Sequence, residues 1–152
     1  MWSWLQRLFS RKTAAHEPQV WHFRIRGERR EIGAVNDALE RAAMAGEVPE
    51  MAMRQMQVAL DELLTNAITH GRVSASEPME VDLIVESRAL RAVVRHAGVQ
   101  FDPTRVEGAD TTSSIEDRAI GGLGLHLVRE TMDEFTYQYI EGRNILRVGK
   151  KF

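Results

Sequence analysis

DELLTNAITHG, residues 61–71, is the stretch on which the reading of this chain turns. It closes a pattern that opens at Pro49, whose fixed φ suits a first helical turn, and ends at Gly71, placed as a left-handed C-cap. Between them Met53, Met56, Leu60, Leu63, Leu64, Ala67 and Ile68 recur at helical spacing and predict one buried stripe, the methionines as core packing. Glu62 and Asn66 stand beside that stripe, one turn apart on a single face, with His70 a turn further on. Polar groups bordering a core can line a cleft. An amide oxygen such as that of Asn66 is a hard ligand that magnesium accepts, and Glu62 can take a proton from water or a hydroxyl. A solvated helix face would look the same, so the rest of the chain decides.

Two further segments carry chemistry. In IGGLGLHLV, residues 120–128, Gly121, Gly122 and Gly124 allow close backbone approach before a helix whose free N–H groups favour phosphate. A hinge without a ligand is the plainer reading. No GK[ST] follows, so the segment is not a P-loop, nor is it the strand-linked dinucleotide fingerprint. In RHAGVQFDP, residues 95–103, a strand ends, Gly98 permits a tight approach, and Phe101, Asp102 and Pro103 turn into a polar loop reaching residue 120. So long a loop inside a compact domain is usually functional or mobile.

Outward from these segments the pattern alternates between strand and helix. QVWHFRIR, residues 19–26, predicts a strand burying Trp21, Phe23 and Ile25, and residues 28–45 a helix that Gly46 ends. Strands at 79–86 and 90–95 form a hairpin, and strands at 135–140 and 144–148 flank a Glu141–Gly142 turn. This order predicts a two-layer α/β (α+β) sandwich: a largely antiparallel mixed sheet with helices on one face, and the long loop between the third strand and the last helix.

The 152 residues suit one domain, here 19–152, preceded by an extension over 1–18. With 22 acidic and 20 basic residues there is no electrostatic footprint for nucleic acid, and no direct nucleic-acid partner is expected. Cysteine is absent, which excludes disulfides, thiolate metal sites and cysteine nucleophiles; a cytoplasmic setting fits. Near the start, Trp2, Trp4, Leu5, Leu8 and Phe9 lie among Arg7, Arg11 and Lys12. That stretch reads either as an interfacial amphipathic helix in weak membrane contact or as a terminal helix packed on the domain or a partner.

In their order the three segments resemble the N-box and the two glycine boxes of histidine-kinase-type ATPases (the Bergerat fold). ALDELLTNAITHG and RAIGGLGLHLVRETMDEFTYQYIEGRNILRVGKK are similar, more narrowly, to the anti-sigma factor serine/threonine kinases. The resemblance implies ATP and Mg2+ as cofactors, Glu62 as general base, Asn66 as the magnesium ligand and Gly98 beside adenine. It places Gly121, Gly122 and Gly124 at the triphosphate and makes residues 104–120 an ATP lid, with Arg118 as a phosphate contact. It also implies a homodimer that phosphorylates a serine on an anti-anti-sigma partner while a sigma factor competes for it.

One position departs from that pattern. His96 stands where the family's first glycine box carries an aspartate that accepts the adenine amino proton. A neutral imidazole still accepts one hydrogen bond, at a loss of ~1 kcal/mol, whereas an unpaired amine costs ~1–3 kcal/mol. Either a kinase or a partner-sequestering module that has lost catalysis follows. A sensor histidine kinase fits less well, because no phosphoacceptor helix pair precedes the domain.

Overall fold

The computed structural model describes residues 17–71, 73, 76–106 and 122–152. The elements run β1 (Gln19–Ile25), α1 (Arg30–Ala45), α2 (Glu50–Thr69), β2 (Met79–Glu86), β3 (Ala89–Ala97), α3 (Gly122–Thr131), β4 (Glu134–Ile140) and β5 (Arg143–Lys151). The sheet order is β1-β2-β3-β5-β4, and all four pairings are antiparallel, so the mixed component expected of the sheet is absent among the described residues. β5 is last in sequence yet lies between β3 and β4. The Glu141–Gly142 turn joining β4 to β5 has positive φ at both residues (50° and 78°), the twist that a two-residue hairpin needs.

Alternation along each strand produces the two layers. Met79, Val81, Leu83 and Val85 of β2 face the helices, as do Leu90, Ala92 and Val94 of β3. They meet Val35 and Leu39 of α1, Met56, Leu60, Leu63 and Leu64 of α2, and Leu125 and Val128 of α3. Burying such a side chain contributes about 1.5–3 kcal/mol each, which is why the methionine and leucine stripe of α2 sits at the centre. Trp21, Phe23 and Ile25 pack inward from β1 as their alternation predicts.

The opposite sheet face is charged. Its ion pairs include Arg95–Asp82, Arg91–Glu134 and Arg143–Glu80, and His22 shares a 2.6 Å hydrogen bond with Asp82, so a solvated polar lattice covers the layer that no described helix covers.

Two helix ends differ from expectation. α1 begins at Arg30 rather than residue 28, because the Glu31 carboxylate accepts the backbone N–H groups of Arg26 (2.8 Å) and Glu28 (3.1 Å), holding the approach outside the helix. Gly71 does not take the left-handed conformation of a C-cap; His70 caps α2, and positive φ among described glycines falls at Gly27, Gly98 and Gly142. Gly71 is needed for space instead. A Cβ there would lie 2.7 Å from both the Ala67 carbonyl oxygen and His96 Cε1. Among the described residues no helix is long and apolar enough to cross a membrane. The extension over residues 1–16 lies outside them.

Candidate functional site

α2 presents Glu62 and Asn66 on the turn next to its buried leucines, and the two side chains are joined: Asn66 Nδ2 donates to Glu62 Oε1 at 3.1 Å. Asn66 is buried and Glu62 half-buried, so the bond gives Asn66 a partner and fixes the carboxylate. It uses the amide nitrogen, and the amide oxygen is a hard donor. That donor suits magnesium, which retains waters and takes phosphate oxygens around one or two protein ligands.

α3 meets α2 at this point. A Cβ built on Gly124 would fall on the Glu62 carboxylate, 2.7 Å from Oε1 and closer still to Oε2 and Cδ. Glycine at 124 therefore leaves the Glu62 carboxylate its present place between the helices. Gly122 opens α3, whose first-turn N–H groups have no acceptor within the helix and form an anion-seeking end close to Glu62. Glu62, Asn66 and Gly124 thus converge, two residues into the helix that Gly122 opens. Gly121 and Arg118 lie outside the described residues.

Two further predicted site residues, His96 and Gly98, lie at the end of β3. His96 is 2% exposed and lies under the Gly71 end of α2, with Nδ1 3.2 Å from the Ala97 carbonyl oxygen. Burial pushes its pKa below the ordinary histidine value; the Ala97 hydrogen bond opposes that, and the positive charge of Arg143 adds to it. The ring is neutral at pH 7. With Nδ1–H assigned to Ala97, Nε2 is a hydrogen-bond acceptor. Gly98 follows with φ 142°, a conformation that side-chain-bearing residues rarely adopt.

Sequence reasoning missed the contacts that hold this strand end. Val99 N–H donates to the Gly71 carbonyl (3.0 Å), and the His70 ring stacks on Phe101 with centroids 5.1 Å apart. Asn144 of β5, paired with His96 in register, is fully buried beneath the same bend. Arg129 of α3 donates to the carbonyl oxygens of Pro103 (3.0 Å), Thr104 and Val106, while Asp102 accepts from Thr104 N (2.9 Å), and together they fix the first residues of the long loop. None of these carries a local signal; each acts across elements that come together only in the fold.

Comparison with known proteins agrees with the fold. The histidine kinase-like ATPase domain family matches residues 25–150. The serine/threonine-protein kinase BtrW of Bordetella bronchiseptica is 28% identical over 60% of this chain and 65% of its own length. The serine-protein kinase RsbW of Listeria monocytogenes is 28% identical over 62% of this chain and 64% of its own. The matches therefore span a little under two thirds of either relative. A crystal structure of the RsbU and RsbW domains of a Mycobacterium tuberculosis protein superposes with a TM-score of 0.62, at 14% identity, over 88% of this chain and 32% of that one.

Proposed function

The chain belongs to the histidine kinase-like ATPase domain family, and on that premise we propose that it is a serine kinase of the anti-sigma type. It binds Mg-ATP and phosphorylates an anti-anti-sigma partner, working as a homodimer from which a sigma factor is displaced or retained. The observation that carries this reading is the junction of Glu62, Asn66 and Gly124, together with the likeness to two proteins named as serine kinases.

Bound ATP would supply the phosphoryl group, and magnesium, when bound, would offset its charge. Glu62 takes the proton from the acceptor serine as its oxygen bonds to the γ-phosphorus and the bond to the β-phosphate oxygen breaks, leaving ADP. Asn66 holds Glu62 through its amide nitrogen and would hold magnesium through its oxygen. Gly124 lets the start of α3 approach the phosphates, a contact that the sequence resemblance assigns also to Arg118, Gly121 and Gly122. Gly98 and His96 receive the adenine. Incubation with Mg-ATP and the cognate antagonist should yield phosphoserine. No transfer by the wild type, or transfer undiminished in Glu62→Ala, would refute the assignment.

A second reading rests on His96, a neutral and buried ring where a charged acceptor is expected. On that reading the domain sequesters its partner without catalysis. Calorimetry separates the two: micromolar ATP binding excludes the second, and absence of binding that His96→Asp restores supports it.

A further inference from the structure

Residues 98–101 leave the end of β3 as an exposed bend, with Val99 52% exposed, yet the bend is held from both sides. On the α2 side are the Gly71 carbonyl and the His70 ring. On the sheet side is Asn144, 0% exposed, whose carboxamide makes three hydrogen bonds. Its Oδ1 accepts from Phe101 N–H (3.1 Å) and from the Tyr137 hydroxyl (2.7 Å), and its Nδ2 donates to the Val99 carbonyl (3.1 Å). Tyr139 adds a bond from its hydroxyl to the Gly98 carbonyl (3.3 Å).

The packing of β5 does not call for an amide here. The next inward positions, Leu146 and Val148, are apolar and buried. A buried carboxamide is tolerated only with its donors and acceptors paired, and here the bend does most of that pairing. The amide is matched to the backbone of 99 and 101: one carbonyl oxygen for an N–H, one N–H for a carbonyl. Its register partner is His96, so the clasp stands beside the strand end that carries the imidazole.

We propose that Asn144 is a positioning residue for nucleotide binding, clasping residues 98–101 against the end of α2 so that Gly98 and His96 present a fixed wall to the base. This rests on the nucleotide reading given above. The clasp acts before any ligand arrives. It lowers the ordering cost of binding, since a bend already held in shape loses less freedom when the base is seated.

The test pairs amide exchange with ADP titration on the full chain. In Asn144→Ala, the Phe101 amide should exchange at least tenfold faster while the amides of β2 keep their protection, and ADP affinity should fall tenfold or more. Tyr137→Phe, which removes one bond to the same oxygen, should move both readouts in the same direction by less, and serves if the alanine variant folds poorly. A Phe101 amide equally protected in both variants overturns the clasp, whatever the wild type binds. A lowered melting temperature with ADP affinity within twofold of wild type marks a plainly structural asparagine and also overturns the proposal. Failure of the wild type to bind ADP overturns the nucleotide reading instead, and the exchange rates still decide whether the clasp exists.

Discussion

Gly124 and Glu62 occupy one point in space: a side chain at 124 would begin where the carboxylate of 62 now lies. Two segments some sixty residues apart are thereby committed to one another. The obstructing atoms belong to the mobile end of a glutamate rather than to backbone, so an added methyl displaces the carboxylate before it separates the helices.

Gly124→Ala should therefore lose activity faster than stability. Phosphotransfer is expected to fall at least tenfold while the urea midpoint moves little. A drop in midpoint matching that of a core truncation, with activity per folded molecule retained, would locate the need for glycine in packing alone.

Glu62 and Asn66 should separate chemistry from binding. Glu62→Gln keeps an acceptor for the Asn66 amide and should bind ADP within threefold of wild type, yet lose about 10²–10⁴ in phosphotransfer, the usual worth of a positioned general base. Asn66→Ala should instead raise the magnesium concentration needed for half-maximal ATP binding. Chelation with EDTA should bring the two proteins to the same weak binding, and titration calorimetry at several magnesium concentrations reads this.

His96 should make the fold acid-sensitive. Its pKa is lowered by burial, against the pull of the Ala97 carbonyl and with the help of Arg143. Below about pH 6.5 the unfolded chain takes up a proton that the folded chain refuses, so stability is full above that value and declines toward the folded pKa. His96→Gln should flatten the dependence of the urea midpoint between pH 7 and 5. Equal slopes in the two proteins would place the sensitivity elsewhere.

Gly71→Ala should cost about 1–3 kcal/mol, the range for overpacking, because the new methyl meets the Ala67 carbonyl and the His96 ring at 2.7 Å each. Thermal unfolding measures it. Gly33→Ala, whose Cβ would meet nothing within 4 Å, should be neutral or stabilising, since α1 gains a better helix former.

The periodicities that place β1, α2 and the β2–β3 hairpin are local properties of sequence, and each of those elements appears where its pattern puts it. Glu62 and Asn66 are legible for the same reason: a helix fixes their separation whatever surrounds it. Gly71 reads as a left-handed cap because its position just past α2 suggests one, whereas its actual constraint is the ring of His96, delivered by a strand twenty-five residues later. Asn144 is illegible for a related reason. One asparagine in an alternating strand carries no mark of the bend above it until β3 and β5 pair. His70 looks like a third member of the polar helix face and is instead the platform on which Phe101 lies.

The placement of β5 also bears on how the protein is made. A chain emerging from the ribosome can pair β1, β2 and β3 early, but until β5 arrives β3 presents an open edge, a template for promiscuous pairing with other chains. Synthesis at ~5–20 residues per second leaves that edge bare for several seconds. The tight turn at Glu141 and Gly142 shortens the hazard, because β4 and β5 come in together as a ready-made hairpin, and only then can Asn144 hold the bend after β3.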